Sequence, residues 1–146
     1  MSTRDFEIEL PFREVTTGNG DRIHLPLVAV KLLQPGGGRV LLPLLFDTGA
    51  SVTTLSHNVY TVLGLPSWDV GERVEVGTAG GPDPVVAYKY QADLEFLGKP
   101  VNCPVHLQPL PPNPLYVGLL GREQFFEAFG FGFWESERKL FVTTAP

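Results

Sequence analysis

The chain has 146 residues, 43% of them hydrophobic and 18% charged, which suits one globular domain and excludes a disordered polypeptide. Its formal net charge of −5 and the lack of any lysine- or arginine-rich run argue against nucleic acid or an anionic membrane surface as a partner. The single cysteine, Cys103, excludes an intramolecular disulfide and a cysteine-clustered zinc site.

The sequence also gives expectations about location and cofactors. No apolar run reaches the roughly 18 residues of a transmembrane helix, and the N-terminal ten residues lack the apolar core of a signal peptide. We therefore expect a cytoplasmic protein with no membrane partner. His24, His57 and His106 are scattered without the i, i+4 spacing of a metal pair, so we expect no metal and no cofactor.

The first part of the chain predicts short strands joined by tight turns. Phe6, Ile8 and Leu10 alternate with charged residues, which indicates a half-buried strand. After a turn at 18–21, a strand is predicted over 23–33. A second turn at 35–38 leads into the continuous apolar run 40–46, which predicts a strand buried on both faces and paired with 23–33 as a hairpin.

The rest of the chain continues this pattern, with two short helices. Ser56 is positioned to cap a helix over 57–63, which Gly64 would close. A second helix is predicted over 122–129, closed by Gly130. Further strands are predicted at 72–76, 86–96 and 101–107 and on either side of 135–137. Residues 109–114 are predicted to form a proline-rich surface loop, and 116–120 is a short apolar run. The sum is a single all-β domain over residues 1–146.

One triplet, Asp47-Thr48-Gly49, stands out within this pattern. Such a triplet arises by chance on the order of a few per cent of the time in a chain of this length, and Asp and Gly are ordinary turn residues. Here, however, the apolar run 40–46 leads directly into Asp47, and a strand pattern resumes at 52–55. The carboxylate is therefore expected at a strand end, in a tight loop between two strands.

The segment from Phe46 to Ala50 resembles the active-site signature of retropepsin-like aspartic proteases. The stretch 117–122, ending in Gly121 and Arg122, is similar to the segment that crosses beneath the catalytic loop in that family. Between them, a hairpin over 74–90 resembles the family's flap, which closes over substrate. The resemblance implies a closed β-barrel, one half of an acid-protease fold, with a flap hairpin and one or two short helices.

The resemblance also implies the chemistry. Aspartic proteases use two carboxylates that share one proton, and this chain has one Asp-Thr-Gly. The resemblance therefore implies a homodimeric endopeptidase that hydrolyses peptide or protein substrates with a water activated between two Asp47 carboxylates. The implied site comprises catalytic Asp47, Thr48 and Gly49, substrate-binding Ala50, Gly77, Thr78, Ala79, Gly80 and Gly81, and structural or dimer-forming Gly121 and Arg122.

Several alternatives stay open. Arg122 at a helix N-terminus is unfavourable for the helix dipole, which indicates a specific acidic partner, yet Ser51 and Val52 stand where family members place an acidic residue. The terminal strands, including Leu140–Val142, are candidates for the dimer contact. The alternative function is a catalytically silent, dimeric β-barrel module that binds extended peptides by strand addition.

Two further groups have structural explanations. Cys103 lies in a strand pattern without a basic neighbour, so an inert buried thiol is expected. The aromatic residues of the C-terminal third are expected in the core, with some available to a dimer interface. They are Phe125, Phe126, Phe129, Phe131, Phe133 and Trp134.

Overall fold

The structure is a computed structural model that describes residues 6–77 and 81–144. The strands in these ranges are β1 (Ile8–Pro11), β2 (Arg13–Thr16), β3 (Arg22–Leu25), β4 (Leu27–Leu33), β5 (Arg39–Phe46), β6 (Thr53–Ser56), β7 (Glu72–Val76), β8 (Val85–Phe96), β9 (Lys99–Gln108), β10 (Gly118–Leu120), β11 (Gly130–Trp134) and β12 (Lys139–Thr143). The helical elements are α1 (Phe125–Ala128) and the 3-10 helices His57–Thr61 and Glu135–Glu137. None of these helices is long and apolar enough to cross a bilayer.

Six strands form a closed ring around the core. They are hydrogen-bonded in the order β4-β5-β10-β6-β9-β8, and β4 pairs again with β8 through Lys31 with Glu95 and Leu32 with Leu94. β7 is attached to the other edge of β8. The ring encloses buried side chains from every wall, including Val30, Leu44, Leu55, Leu94 and Leu107. The predicted all-β fold with a closed barrel is therefore confirmed.

The hairpin β8–β9 shows how local sequence builds this barrel. In β8 the side chains of Ala92, Leu94 and Phe96 alternate inward and are buried, as the period-2 pattern predicts. The strand then reverses through Leu97 and Gly98, both with positive φ, in the two-residue connection that matches strand twist. Phe96 consequently pairs with Lys99, so β9 begins two residues earlier than the sequence predicts.

The prediction that 40–46 is buried on both faces is wrong. Leu42, Leu44 and Phe46 in β5 are 4%, 0% and 4% exposed, whereas Leu41 is 59% exposed. The reason is that β5 is a barrel wall, with only one face toward the core. Its pairing as a hairpin is confirmed for β4, from Leu27 with Leu45 to Leu33 with Arg39. The predicted single strand over 23–33 is wrong, because its first part is the separate strand β3, which pairs with β2 in another sheet.

Both predicted helices are shorter than expected. Residues 122–129 form only the single turn α1, because Gln124 adopts φ 68°, a left-handed conformation that stops a helix from starting earlier. Gly130 begins β11 instead of closing a helix. Residues 57–63 form a 3-10 helix ending at Thr61, and Ser56 makes no side-chain capping bond. Gly64, with φ +74°, reverses the chain as predicted.

The two ends of the chain pair with each other. β12 lies between β1 and β11, with Ile8 opposite Val142 and Phe131 opposite Val142 on the other side. The Glu7 carboxylate extends this contact by accepting bonds from the Thr143 hydroxyl at 2.9 Å and the Thr144 hydroxyl at 2.9 Å. These bonds hold the pKa of Glu7 below its ordinary value, the Thr143 hydroxyl having the larger effect.

Leu44→Ala is expected to lower the free energy of unfolding by about 2–5 kcal/mol, because it leaves a cavity in the barrel core. Leu41→Ala on the same strand is the matched control and should change it by about 0.5 kcal/mol or less, since Leu41 lies on the exposed face. Urea unfolding followed by circular dichroism measures both. Equal losses in the two variants would contradict the one-sided burial of β5.

Glu7→Gln is expected to lower stability at neutral pH and to make little difference in acid. A carboxylate whose folded pKa is depressed stabilises the fold above its unfolded pKa, about 4.3 for glutamate, and loses that effect as pH falls through the folded pKa. Thermal unfolding of both proteins between pH 3 and 7 measures the difference in their stability, which should become smaller as the pH falls. Glu72→Gln, at an exposed carboxylate that pairs with no described residue, is the control expected to leave the pH profile unchanged.

Candidate active site

The Asp47 side chain is fixed by the turn that follows β5. Its Oδ1 accepts a hydrogen bond of 2.9 Å from the Gly49 N–H, and its backbone carbonyl accepts one of 3.2 Å from Ala50 N–H. A Cβ at Gly49 would lie 3.2 Å from that same carboxylate oxygen. The triplet therefore forms a tight loop that holds one carboxylate oxygen and leaves the other without a partner among the described residues.

β10 passes directly beneath this loop. It pairs in parallel with β5, Leu120 opposite Phe46, and antiparallel with β6, Leu119 opposite Thr54. The loop 47–52 connects the two strands that flank β10, and Asp47 N–H donates to the Leu120 carbonyl at 3.1 Å. The two sequence motifs, about 70 residues apart, are thus brought together as predicted.

Hydrogen bonds tie the loop to the residues after β10. Arg122 N–H donates to the Ala50 carbonyl at 3.0 Å, and Glu123 N–H donates to the Ser51 carbonyl at 2.9 Å. Gly121 N–H donates to the buried Thr53 hydroxyl at 3.0 Å. The first two bonds join backbone to backbone and fix the loop's height above the sheet independently of side chains, whereas the third depends on the Thr53 hydroxyl.

Two glycines allow this close approach. A Cβ at Gly121 would come within 2.3 Å of the Val52 carbonyl carbon, and one at Gly118 within 2.2 Å of the Thr54 oxygen. Gly121 was predicted to be structural, and the geometry gives the reason. Gly118 and Thr53 were not predicted as site-supporting residues, since a glycine in an apolar run and a threonine in a strand give no distinctive signal.

The remaining loop residues face outward. Thr48 and Gly49 are exposed, and Ala50 is half-buried. The Thr48 hydroxyl makes no hydrogen bond with any residue of 6–77 or 81–144. The exposed edge of the loop therefore presents Asp47, Thr48 and Gly49 side by side.

The predicted flap is an antiparallel hairpin of β7 and β8, from Glu72 opposite Lys89 to Val76 opposite Val85. Gly77 and Gly81 lie beside its tip and are exposed. Thr78, Ala79 and Gly80, also predicted to bind substrate, lie outside the described residues.

Arg122 differs from its predicted setting. It precedes a single helical turn, which has too little dipole for the expected mismatch to matter. Its side chain is exposed and forms no ion pair with a described carboxylate. Its contribution to the loop comes from its backbone N–H.

Two titratable groups near the barrel wall have shifted pKa values. Burial raises the pKa of the Cys103 thiol to about 12, with smaller contributions from the charges of Glu123 and Asp93, so the thiol stays protonated and unreactive. Burial, and then the neighbouring Lys89 charge, lowers the pKa of His106. Neither group contacts Asp47.

Asp47 lines none of four well-formed cavities among the described residues. One cavity, of about 710 Å³, lies between β5, the 3-10 helix 57–61 and the proline-rich segment 110–113, and Asp47 does not line it. No group of three or more His, Cys, Asp or Glu side chains in the described ranges is placed to hold a metal ion. The Asp47 loop therefore lies at the surface and outside these cavities.

The comparison with protein-family models agrees with this geometry. A search of curated proteins gave no match. A family model described as aspartyl protease matches residues 28–123, about two thirds of the chain. The matched region begins in β4 and includes the Asp47 loop, the flap hairpin and the Gly121 motif beneath the loop. The chain therefore belongs to the aspartyl protease family, as its two motifs predict.

Proposed function

We propose that this chain is an aspartic endopeptidase that hydrolyses peptide bonds with a water activated between two Asp47 carboxylates of a homodimer. The observation that supports it most directly is the Asp47 carboxylate, held through one oxygen by Gly49 N–H and presented at the open edge of the barrel. A fixed carboxylate with a free oxygen is suited to binding and activating water.

Stoichiometry supports the dimer. Hydrolysis by this mechanism needs one ionised carboxylate to take a proton from water and one protonated carboxyl to hydrogen-bond the scissile carbonyl. Two carboxyls about 3 Å apart share a single proton, because both cannot ionise at that separation. The chain has one Asp-Thr-Gly, so a second copy is the simplest source of the other carboxyl.

The exposed loop edge fits the same arrangement. Thr48 lies beside Asp47, exposed and without a described hydrogen-bond partner. In the proposed dimer, the Thr48 hydroxyl bonds the matching loop of the second copy across the two-fold axis and fixes the distance between the two carboxylates. Thr48 and Gly49 are thus proposed to hold the dyad, and Ala50 to border the bound peptide.

The terminal sheet limits how the copies meet. β12 is paired on both edges, by β1 and by β11, so its backbone has no free edge for a second chain. Among the described strands, the outer edges of β1 and β11 are unpaired in this sheet. β11 also exposes Phe133 and Trp134, at 41% and 58%. These observations favour the β11 side over β12 as the contact between copies.

The flap is proposed to cover the substrate. β7 is an edge strand, so an extended peptide between flap and loop meets free backbone groups as well as apolar side chains. Gly77 and Gly81, beside the tip, place no side chain near the peptide. The proposed substrate is therefore a peptide or protein segment in extended conformation.

Asp47→Asn is expected to abolish peptide cleavage, since an amide neither accepts a proton from water nor shares one with its partner. The assay is cleavage of a mixed peptide library between pH 4 and 7, read by mass spectrometry. Asp21→Asn, at an exposed turn carboxylate between β2 and β3, is the matched control expected to keep full activity. Cleavage that survives in Asp47→Asn would refute the mechanism. A dimeric wild type that binds peptides without cleaving them would favour the silent binding module.

Mixing the inactive variant with wild type tests the shared site. If each site needs two Asp47 carboxylates, adding an equal amount of Asp47→Asn to a fixed amount of exchanging wild type reduces activity to about half. Analytical ultracentrifugation at the assay concentration establishes that dimers are present. Unchanged activity in the mixture, despite demonstrated subunit exchange, would contradict a dyad built from two copies.

A further inference from the structure

The hydroxyl of Tyr90, in β8, binds a single backbone segment three times. It donates to the Trp68 carbonyl at 2.5 Å and accepts from the N–H groups of Val70 at 3.1 Å and Gly71 at 2.8 Å. A tyrosine hydroxyl has one proton to donate and lone pairs for about two acceptor bonds. Its whole hydrogen-bonding capacity is therefore spent on residues 68–71.

The packing of this segment requires glycine at 71. A Cβ there would lie 2.6 Å from the Lys89 carbonyl oxygen and 2.6 Å from Cε1 of the Tyr90 ring. Gly71 has no positive φ, so the requirement comes from close approach and not from backbone conformation. The backbone at Gly71 thus lies close to the hydroxyl-bearing end of the Tyr90 ring, where the hydroxyl reaches all three backbone groups.

The Trp68 side chain fixes the same segment a second way. Its ring meets Tyr88 edge-on at 5.2 Å and His57 at 5.5 Å. These contacts attach residue 68 to β8 and to the 3-10 helix 57–61. The backbone of residues 68–71 and the Trp68 indole are therefore both fixed. We refer to the contacts of Tyr90 and Trp68 that hold residues 68–71 as the clamp.

The next element along the chain is β7, the first strand of the flap. β7 is at the sheet edge, and β8 is its strand partner in the described residues. Besides the ladder with β8, the contacts of Tyr90 and of the Trp68 ring hold residues 68–71, which lead into the base of β7 at the end of the hairpin away from its tip.

We propose that Tyr90 is a positioning residue that pins the base of the flap, so that the hairpin lies correctly over a peptide bound at Asp47. This inference rests on the proposed function, since it assigns the hairpin a role in holding substrate. Tyr90 itself does not contact the reacting atoms. Its effect is transmitted through residues 68–71 to β7.

Amide hydrogen exchange by NMR tests the clamp without any need for activity. Tyr90→Phe keeps the ring and removes the three hydrogen bonds, so exchange at Val70, Gly71 and the β7 amides is expected to rise about tenfold. Tyr88→Phe is the matched control on the same face of β8. Its ring contact with Trp68 is kept, and the Tyr88 hydroxyl bonds no described residue, so exchange should match wild type.

Peptide cleavage tests the consequence for substrate. Tyr90→Phe is expected to raise KM severalfold to about tenfold with a smaller change in kcat, because a loosened flap weakens substrate binding more than the chemistry at Asp47. Tyr88→Phe should leave both constants unchanged. Gly71→Ala, which pushes the segment away from the ring, should act in the same direction as Tyr90→Phe.

The outcomes separate the clamp from the protease. Wild-type exchange rates in Tyr90→Phe would overturn the clamp, whatever the activity. Faster exchange confined to Val70 and Gly71, with β7 and KM unchanged, would overturn the link to the flap. A wild type that cleaves no peptide refutes the proposed function, while the exchange rates still decide whether Tyr90 holds the base of β7.

Discussion

The parallel pairing of β10 with β5 is the interaction on which the rest of the site depends. It places the end of β10 under the Asp47 loop, where the Leu120 carbonyl accepts the Asp47 N–H and the next residues donate to Ala50 and Ser51. Gly118 and Gly121 make this possible, because any larger residue would collide with the backbone of β6 or of the loop. The carboxylate is thereby held by main-chain geometry, which is less mobile than a side-chain network.

The closed barrel converts this local arrangement into a rigid platform. The ring of six strands shares one core, so β5, β6 and β10 cannot shift independently at the loop. Aromatic packing continues the core toward the terminal sheet, with Phe46 against Phe126, Phe131 and Phe133 at 5.5, 4.7 and 5.1 Å. The residue immediately before Asp47 is therefore anchored in the interior, while Asp47 itself reaches the surface.

The flap has the opposite character. β7 is held along one edge, and the clamp at Tyr90 fixes only its base. In the proposed function, a carboxylate on a rigid loop is combined with a hairpin held along one edge, an arrangement suited to covering an extended chain. This difference follows from the topology, because each strand of the ring is hydrogen-bonded along both edges, whereas β7 is hydrogen-bonded along one.

Much of this could be predicted from the sequence, and the failures have physical causes. Periodicity located the strands well, because alternation in 86–96 and the turns at 18–21 and 35–38 are local properties. The helix at 122–129 was overestimated, since apolar spacing does not reveal the left-handed Gln124 that limits it to one turn. The burial of β5 was misjudged, because a run of apolar residues does not state which of them the neighbouring elements cover.

The sequence by itself determined the all-β class, the family and the place of Asp47 in a tight loop at a strand end, because these depend on residue order and on two short motifs. Only the tertiary structure decided what supports them: the crossing of β10 beneath the loop, the need for glycine at 118 and 121, the hydroxyls of Thr53 and Tyr90, and the pairing of β1 with β12. Each of these joins residues distant in sequence. Such contacts depend on how the strands are arranged in space, which no local pattern of residues specifies.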